Sequence, residues 1–513
     1  MSRTSDSTGD MGATMNFPAG SFIHRKQRDR WTAFAILMVC WLLFAMVEQR
    51  PFNLQGAVVE ALVERGRLHF VHGNIKQVGN ERVFENLDTE TAAFRELFNI
   101  FPYGGKYYVN HAPGQFLLAA PWYAACVQLG WRFATHADLV WKILVWSLTA
   151  PLGALGVMAL FVIGRHWDMP WLTAAFASMT FALASPWWAA SGVLYHDSLA
   201  VALILLGVVT WQCRPTGDGL GASLCALAAG FLFAFAVVTT YLVLPVVLLI
   251  CLALIVSRPS RRSLVYFFSA FLPTLSVLPI SNAMVFGSPF ATGYSAGGFD
   301  QNFPSPLNLA NAWEKMGFYL WHSEYGLLWS FPVFFFGAIG LTLGAPLQPR
   351  TRQLLLLLAA VHYLFIVTME HHGSVGWGVG RFFLPLYPIL ALGLPAFFQL
   401  SGWPGKVARG LVFCALFYSV IFAVAAASYG IQGVMEPNVW TLKQRVMADY
   451  GEFQQRLFWL ALVAGILGET VFQLFSQDKR PVLSGNARRS RPRERQKSKG
   501  AVASAARKPG KQK

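Results

Sequence analysis

The stretch GGKYYVNHAPGQFLLAAPWY, residues 104–123, decides how this chain is laid out, because it is apolar but does not read as an ordinary membrane anchor. A tyrosine pair and a polar Asn-His precede the apolar part, Pro113 opens it and Pro121 interrupts it. Each proline removes a backbone donor, and irregular backbone at membrane depth is tolerated only where protein or a watery cavity covers it. The pattern predicts a re-entrant or interfacial helix over 114–131 that starts and ends on the outer side.

The chain around this stretch is strongly apolar. Of its 513 residues, 55% are hydrophobic and 13% are charged, and the mean hydropathy is +0.44. Apolar runs near the ~20 residues that cross a bilayer recur from end to end, which excludes a soluble globular protein. We expect an all-α polytopic membrane protein with about twelve transmembrane helices. The predicted crossings are residues 31–47, 143–163, 171–190, 195–213, 220–238, 240–256, 263–285, 327–345, 353–369, 382–400, 408–427 and 457–475.

Basic connectors orient these crossings, because Lys and Arg accumulate in the cytoplasmic loops of membrane proteins. The connectors rich in these residues are 24–30, 164–167, 257–262, 348–352 and 405–409. Twelve crossings put all of them inside, whereas a thirteenth at 114–131 would turn every later one outward. Both termini are therefore predicted to be cytoplasmic in a cell inner membrane. The long outer loops that result, 48–142, 286–326 and 428–456, favour an enzyme that acts on the outer face.

Charge and loop pattern divide the chain into four predicted parts. They are a cytoplasmic leader 1–30, a membrane module 31–285 that includes the outer loop 48–142, a second membrane module 286–476, and a tail 477–513. The tail has thirteen Lys and Arg against two acidic residues, so it supplies +11 of the formal +16 charge. Its composition predicts disorder. Contact with anionic membrane lipids explains the charge more simply than nucleic acid, which we do not expect as a partner.

The first outer loop is predicted to begin with a helix over residues 51–68. The apolar stripe consists of Leu54, Val58, Ala61 and Leu62, and the charged residues Glu60, Glu64 and Arg65 lie off it. This separation predicts an amphipathic helix on the membrane surface.

Neither a metal nor a cofactor is expected from the sequence. The six cysteines lie in or beside apolar runs without paired spacing, which favours core positions over a disulfide framework or metal site. Glu370, His371 and His372 share one loop, but they lack the HExxH spacing and a third ligand.

Several motifs, in this order, resemble bacterial family-39-like glycosyltransferases of the GT-C superfamily. They are ALVERGRL (61–68), GKYYVNHAPGQFLLAAPWY (105–123), LYHDSLAVAL (194–203), FGSPFATGY (286–294), SEYGLLWSFPV (323–333) and GRFFLPLYPILAL (380–392). The resemblance implies an integral-membrane transferase that takes a sugar from a polyprenyl phosphate at the extracytoplasmic face. Such enzymes use an acidic residue just beyond the first helix as general base, and basic and aromatic groups to hold the donor phosphate.

Two acidic residues of the first outer loop are candidates for that base. Glu48 is the first acid after the first predicted crossing, and Glu60 is the alternative. An acceptor hydroxyl is a poor nucleophile until a base takes its proton. Relatives more often have Asp here, whereas Gln49 follows Glu48 in this chain. A solvated charge that ends a helix is the plain alternative.

Other polar residues at the outer mouths complete the predicted site. Asp197 opens the fourth crossing, and an ionisable group at a membrane mouth usually has a task or a partner. The candidates for binding donor and phosphate are Lys106, Tyr107, Tyr108, Asn110, His111, Lys142, His196 and Arg381. Many relatives have Asp-Lys where Asn110 and His111 stand, so a phosphate contact would fall to His111, Lys142 or Lys106. Snorkelling is the plain explanation for Arg381.

The resulting prediction is a transferase that passes one sugar from a polyprenyl-phosphate donor to an outward-facing lipid, glycan or protein. Two alternatives stay open: a transporter or flippase of lipid-linked sugars, and a non-catalytic subunit of a glycan-assembly complex. A transporter predicts charges deep within several crossings, whereas nearly all charges here cluster at the outer mouths.

Overall fold

The chain is mostly helical in the computed structural model. The residues that the structure describes are 19–47, 53–70, 74–78, 81–85, 100–109, 111–215, 217, 219–257, 259–293, 312–321, 326–344, 346–368 and 382–435. The helices are α1 (Ala19–Ala45), α2 (Asn53–Arg65), α3 (Gly114–Gln128), α4 (Phe133–Leu144), α5 (Ala150–His166), α6 (Trp171–Leu183), α7 (Trp187–Ser191), α8 (His196–Gln212), α9 (Leu220–Thr239), α10 (Leu244–Val256), α11 (Arg261–Phe286), α12 (Ala312–Trp321), α13 (Leu327–Ser330), α14 (Val333–Leu343), α15 (Pro349–Thr368), α16 (Leu386–Ala391) and α17 (Gly402–Met435).

Within these described ranges, five helices are long and apolar enough to cross a membrane. They are Phe133–His166, Leu220–Thr239, Arg261–Phe286, Pro349–Thr368 and Gly402–Ala423. Each coincides with a predicted crossing. The first is longer than predicted, since a π-helical segment at Val145–Thr149 joins α4 to α5 without a break.

Other predicted crossings coincide with shorter apolar helices. They are Trp171–Leu183, His196–Gln212, Tyr241–Val256, Val333–Leu343 and Leu386–Gln399. Two of the predicted crossings are interrupted at a proline. In 171–190, α6 ends at Leu183 and a new helix, α7, begins after Pro186. In 327–345, α14 begins only after Pro332. The predicted crossing 457–475 lies outside the described residues. The count of twelve and the re-entrant placement of α3, which has 15 residues, therefore stay predictions.

The region predicted to be the first outer loop contains β-strands, which the all-α prediction missed. The strands are β1 (His69–Phe70), β2 (Asn74–Val78), β3 (Glu81–Glu85), β4 (Ile100–Tyr103) and β5 (Lys106–Val109). They form an antiparallel sheet of order β1-β5-β4 and a separate β2-β3 pair. The β4–β5 turn has Gly104 and Gly105 at φ of +56° and +76°, the positive angles that a tight hairpin requires. The opening motif is thus a hairpin followed by a helix.

Helix α2 forms where a helix was predicted, but it is enclosed by protein rather than lying exposed on a surface. Glu60, expected on the polar side, is 1% exposed, and Val58 on the apolar stripe is also 1% exposed. The reason is that α2 packs against α3 and α4, so both its faces meet protein. The amphipathic helix on a membrane surface therefore stays a prediction, and the sequence pattern did not show that protein covers the charged face.

Close helix packing fixes the framework of the molecule. Helices α8, α9 and α11 pack side by side, and Gly230 on α9 lies so close to the carbonyl of Phe267 on α11 that a Cβ would collide with it. Small residues of this kind let helix backbones approach in membrane proteins. The start of α3, the start of α8 and the ends of α9 and α11 meet at one end of this framework, and the candidate site lies there.

Candidate functional site

The start of α3 is held tightly against the end of α9. A Cβ at Gly114 would lie 2.6 Å from Oγ1 and 2.7 Å from the backbone N of Thr239. Only glycine allows this approach without movement of the backbone. The contact fixes the position of the segment that carries His111, three residues before the helix.

His111 meets His196 and Asp197 at the start of α8. The imidazole centroids of His111 and His196 are 4.7 Å apart, and Nε2 of His196 is 3.4 Å from Oδ1 of Asp197. His196 and Asp197 are 4% and 3% exposed. Buried ionisable groups at membrane depth are rare and usually functional. The structure thus brings together three of the predicted site residues.

His362, on α15, belongs to the same polar cluster and was missed in the sequence. It is fully buried, its Nε2 lies 2.8 Å from the carbonyl oxygen of Phe382, and it interacts electrostatically with Asp197. Because a carbonyl only accepts, Nε2 donates and Nδ1 has the lone pair. Nδ1 is buried without a hydrogen-bond partner in the described part of the chain. A histidine inside an apolar run was the signal that could have found it.

A cavity of about 40 Å³ adjoins His111. Its polar and aromatic lining includes Tyr108, His111, Tyr241, Asn282 and Phe286. The hairpin forms one wall, because the Tyr103 hydroxyl donates to the Phe286 carbonyl at 3.0 Å and the Tyr108 and Phe286 rings pack at 5.7 Å.

Tyr108 is predicted to be a hydrogen-bond donor at this cavity. Burial raises the pKa of its phenol, and the neighbouring Tyr103 adds a smaller effect. The side chain, 7% exposed, therefore keeps its proton at neutral pH. An aromatic face beside a phenolic donor suits a sugar or a phosphate oxygen.

Glu60 faces away from this cavity. Val58 lines the cavity, and residues two apart on a helix point about 200° from each other. Glu60 instead lies 3.4 Å from Arg65 and interacts electrostatically with Tyr123 of α3.

Glu64, one turn further along α2, shares the face of Glu60. It accepts a 2.6 Å hydrogen bond from the Tyr123 hydroxyl and a 3.2 Å ion pair from Arg132. Tyr123 in turn accepts from the Phe133 backbone amide at 3.3 Å. This network joins α2, α3 and α4, which gives Glu60 and Glu64 a structural setting.

The remaining predicted residues divide into two groups. Lys106 and Tyr107 are half-buried on β5, and Lys142 is exposed on α4, away from the cavity lining. Glu48, Asn110 and Arg381 lie outside the described residues. Val47, the residue before Glu48, packs at Gly192, where a Cβ would lie 2.5 Å from the Cβ of Val47.

Within the described ranges, no group of three or more His, Cys, Asp or Glu is arranged to hold a metal.

Chemically, the cluster combines a carboxylate with imidazoles beside a small aromatic cavity. A buried carboxylate is a proton acceptor for a hydroxyl group. Imidazoles can donate or accept hydrogen bonds, and protonated ones bind phosphate. The arrangement therefore suits a reaction in which a hydroxyl loses a proton near a phosphorylated ligand.

No family model matches the sequence, and no curated protein matches it. Among solved structures, the crystal structure of ArnT from Cupriavidus metallidurans bound to undecaprenyl phosphate is 14% identical over 88% of this chain and 78% of its own, with a TM-score of 0.43. The oligosaccharyltransferase of Archaeoglobus fulgidus, in complex with Zn and sulfate, is 15% identical over 83% of this chain and 57% of its own, with a TM-score of 0.47. These two structural neighbours are both GT-C superfamily members.

Proposed function

We propose that this chain is an integral-membrane glycosyltransferase that moves a sugar from a polyprenyl-phosphate donor to an extracytoplasmic lipid, glycan or protein. The observation that carries the proposal is the buried cluster of Asp197, His196 and His111 beside an aromatic cavity at one end of apolar helices. The order of the sequence motifs supports the same reaction class. Undecaprenyl phosphate, the lipid bound in the ArnT structure, exemplifies the proposed donor class.

The proposed reaction is a direct displacement at the anomeric carbon. Asp197 takes the proton of the acceptor hydroxyl, the acceptor oxygen bonds to the anomeric carbon, and the bond from that carbon to the lipid phosphate oxygen breaks. The lipid phosphate leaves with the electron pair, so neither metal nor cofactor is needed for balance. His111 and Tyr108 donate hydrogen bonds to donor oxygens.

Glu48 is kept as a second candidate for the base, because its neighbour Val47 packs at Gly192, five residues before Asp197. Glu60 is the weaker candidate, since it faces α3 and not the cavity. Lys106, Tyr107, Asn110 and Arg381 are kept as proposed donor contacts. The site belongs to the proposed module 31–285, and His362 joins it from the proposed module 286–476.

The experiment that tests the function uses purified protein in liposomes with a polyprenyl-phosphate-linked sugar and an envelope-lipid acceptor mixture. The proposal predicts release of polyprenyl phosphate together with a glycosylated acceptor. Movement of intact lipid-linked sugar between leaflets, without cleavage, would replace the transferase with a flippase. Neither cleavage nor movement, in protein that still associates with other envelope proteins, would favour a non-catalytic subunit.

A further inference from the structure

A cavity of about 140 Å³ lies between the helices, apart from the small cavity at His111. Helices α5, α8, α9 and α10 of the proposed module 31–285 line it, together with α15 and the segment around α16 of the proposed module 286–476. The lining is apolar except at one end, where two tryptophans and Gln212 lie. Apolar cavities of about this size stay dry and take up hydrocarbon.

The depth of the cavity corresponds to one leaflet of a bilayer. On α8, the lining residues recur at helical spacing from Val201 to Trp211, so one face of the helix follows the cavity. From Val201 to Gln212 the helix rises about 16 Å, and the hydrocarbon core of a bilayer is about 30 Å thick. A hydrocarbon chain that fills the cavity therefore has the reach of one phospholipid acyl chain.

The cavity is closed toward the candidate site and accessible at its other end. Val201, one turn after Asp197 on α8, is only 2% exposed. The residues Val208, Ala253 and Leu354, which line the cavity toward the opposite end, are half-buried. A ligand therefore enters from the end away from Asp197, which is the proposed cytoplasmic side.

The accessible end has the residues of a membrane interface. Trp211 and Trp167, which directly follows α5, line this end, and tryptophan rings favour the headgroup level of a bilayer. The side-chain carbonyl oxygen of Gln212 is buried and has no hydrogen-bond partner among the described residues. A buried acceptor lowers stability unless a donor meets it. A lipid headgroup with a hydroxyl or ammonium group supplies such a donor.

Two arginines flank this end. The guanidinium of Arg214 stacks on Trp211, with its central carbon 4.2 Å from the ring centroid, and donates to the Trp211 carbonyl at 2.9 Å. Arg350 lies four residues before the lining residue Leu354, on the same face of α15. Neither arginine is paired with a carboxylate in the part of the chain that the structure describes. A guanidinium has five donors and favours phosphate as a partner.

We propose that this cavity binds one acyl chain of an anionic glycerophospholipid whose phosphate lies at Arg214 and Arg350. The chain packs against helices of both proposed modules and holds them together. The donor lipid is a different ligand, because Trp211 lies about 21 Å along α8 from Asp197. A phosphate at this end would leave its sugar far from the candidate site. The proposal therefore goes beyond the proposed reaction and does not depend on it.

The test is the melting temperature of the delipidated full chain in detergent, titrated with three lipids. They are dioleoylphosphatidylglycerol, dioleoylphosphatidylcholine and a long-chain polyprenyl monophosphate. Ala253→Phe places a ring in the cavity, and Ala253→Leu is a milder second variant in case the first does not fold. The matched control is Leu252→Phe, at a position on the same helix that is 55% exposed and outside the lining.

Filling the cavity should abolish the effect of the phospholipid. A ligand that binds only the folded state raises its stability in a saturable way, so phosphatidylglycerol should raise the melting temperature of wild type and of Leu252→Phe. Ala253→Phe should show no such gain, and Ala253→Leu a reduced one. Any gain from polyprenyl monophosphate should survive Ala253→Phe, because that lipid belongs to the candidate site.

Removal of the two cations should weaken selection of the headgroup. In a variant with Arg214→Gln and Arg350→Gln, the phosphatidylglycerol concentration for half of the gain should rise about 10- to 30-fold. Phosphatidylcholine should act on wild type only at similarly raised concentrations. The control carries Arg261→Gln and Arg262→Gln, two exposed positions at the start of α11, outside the cavity lining. It should respond like wild type.

Four results would overturn the proposal. An equal gain from phosphatidylglycerol in wild type and in folded Ala253→Phe or Ala253→Leu would show that the chain does not enter the cavity. An unchanged response of the Arg214 and Arg350 variant, or equal action of phosphatidylcholine on wild type, would remove the headgroup assignment. A gain from polyprenyl monophosphate that Ala253→Phe abolishes would make the cavity a slot for the donor lipid instead.

Discussion

The imidazole rings of His111 and His196 lie 4.7 Å apart and are inclined by 43° to each other. This contact joins the segment that follows the β4–β5 hairpin to the start of α8. Since His196 also lies 3.4 Å from Asp197, the contact places the aromatic cavity next to a buried carboxylate. A displacement of either element would separate the proposed donor contacts from the proposed base.

Replacement of His111 by alanine should weaken donor binding more than it slows the chemical step. The side chain lines the cavity but is not the proposed base. We expect a higher KM for the donor, with a transfer rate partly recovered at high donor concentration. His166→Ala is the matched control, because His166 is exposed at the far end of α5. An unchanged KM with a large fall in kcat would contradict the assigned role.

Gly114→Ala should lower both stability and activity. The new Cβ would meet the backbone of Thr239 at 2.7 Å, so α3 must move away from α9. We expect a loss of about 1–3 kcal/mol in the free energy of unfolding. Gly317→Ala is the control: its Cβ meets nothing within 4 Å, so on a helix it should be neutral or stabilise by up to about 1 kcal/mol. Equal melting temperatures for the two variants would show that the Gly114 contact does not constrain α3.

Tyr123→Phe should reduce stability while leaving the site chemistry in place. It removes the hydrogen bond to Glu64 and leaves the Phe133 amide without its acceptor. The expected cost is about 1–3 kcal/mol. Chemical denaturation and a transfer assay on the folded variant measure the two effects separately. Normal stability with lost transfer would give this network a catalytic role instead.

The sequence predicted the helices better than the loops between them. Apolar runs located the long helices because a bilayer sets their length and composition. The β4–β5 hairpin at Gly104 and Gly105 was missed, because each strand has only four residues and the chain around them is apolar throughout. Long-range contacts were beyond sequence reasoning: nothing in the local pattern brings His362 to Asp197 or encloses Glu60 between helices. His111, His196 and Asp197 could be chosen because polar residues at apolar boundaries stand out in sequence.

Reporter fusions test the predicted topology. The helix Phe133–His166 is long and apolar enough to cross a membrane, with a kink at His136 near its start, so its two ends should face opposite sides of the membrane. Fusions within 134–138 should report the outer side, and fusions within 164–167 should report the cytoplasm. The same side for both would show that this helix does not cross, and the proposed re-entrant placement of α3 would lose its basis.

The most direct test of the central claim is sugar transfer by Asp197→Asn. The change keeps the shape of the side chain but removes its capacity to take a proton, so transfer should fall about 10²–10⁴-fold. Folding and binding of polyprenyl phosphate should be retained. The matched control is Asp168→Asn, at an exposed turn with φ of +61° that asparagine tolerates; it should transfer at the wild-type rate. Wild-type transfer by purified, folded Asp197→Asn would contradict the account and leave Glu48, and after it Glu60, as candidates for the base.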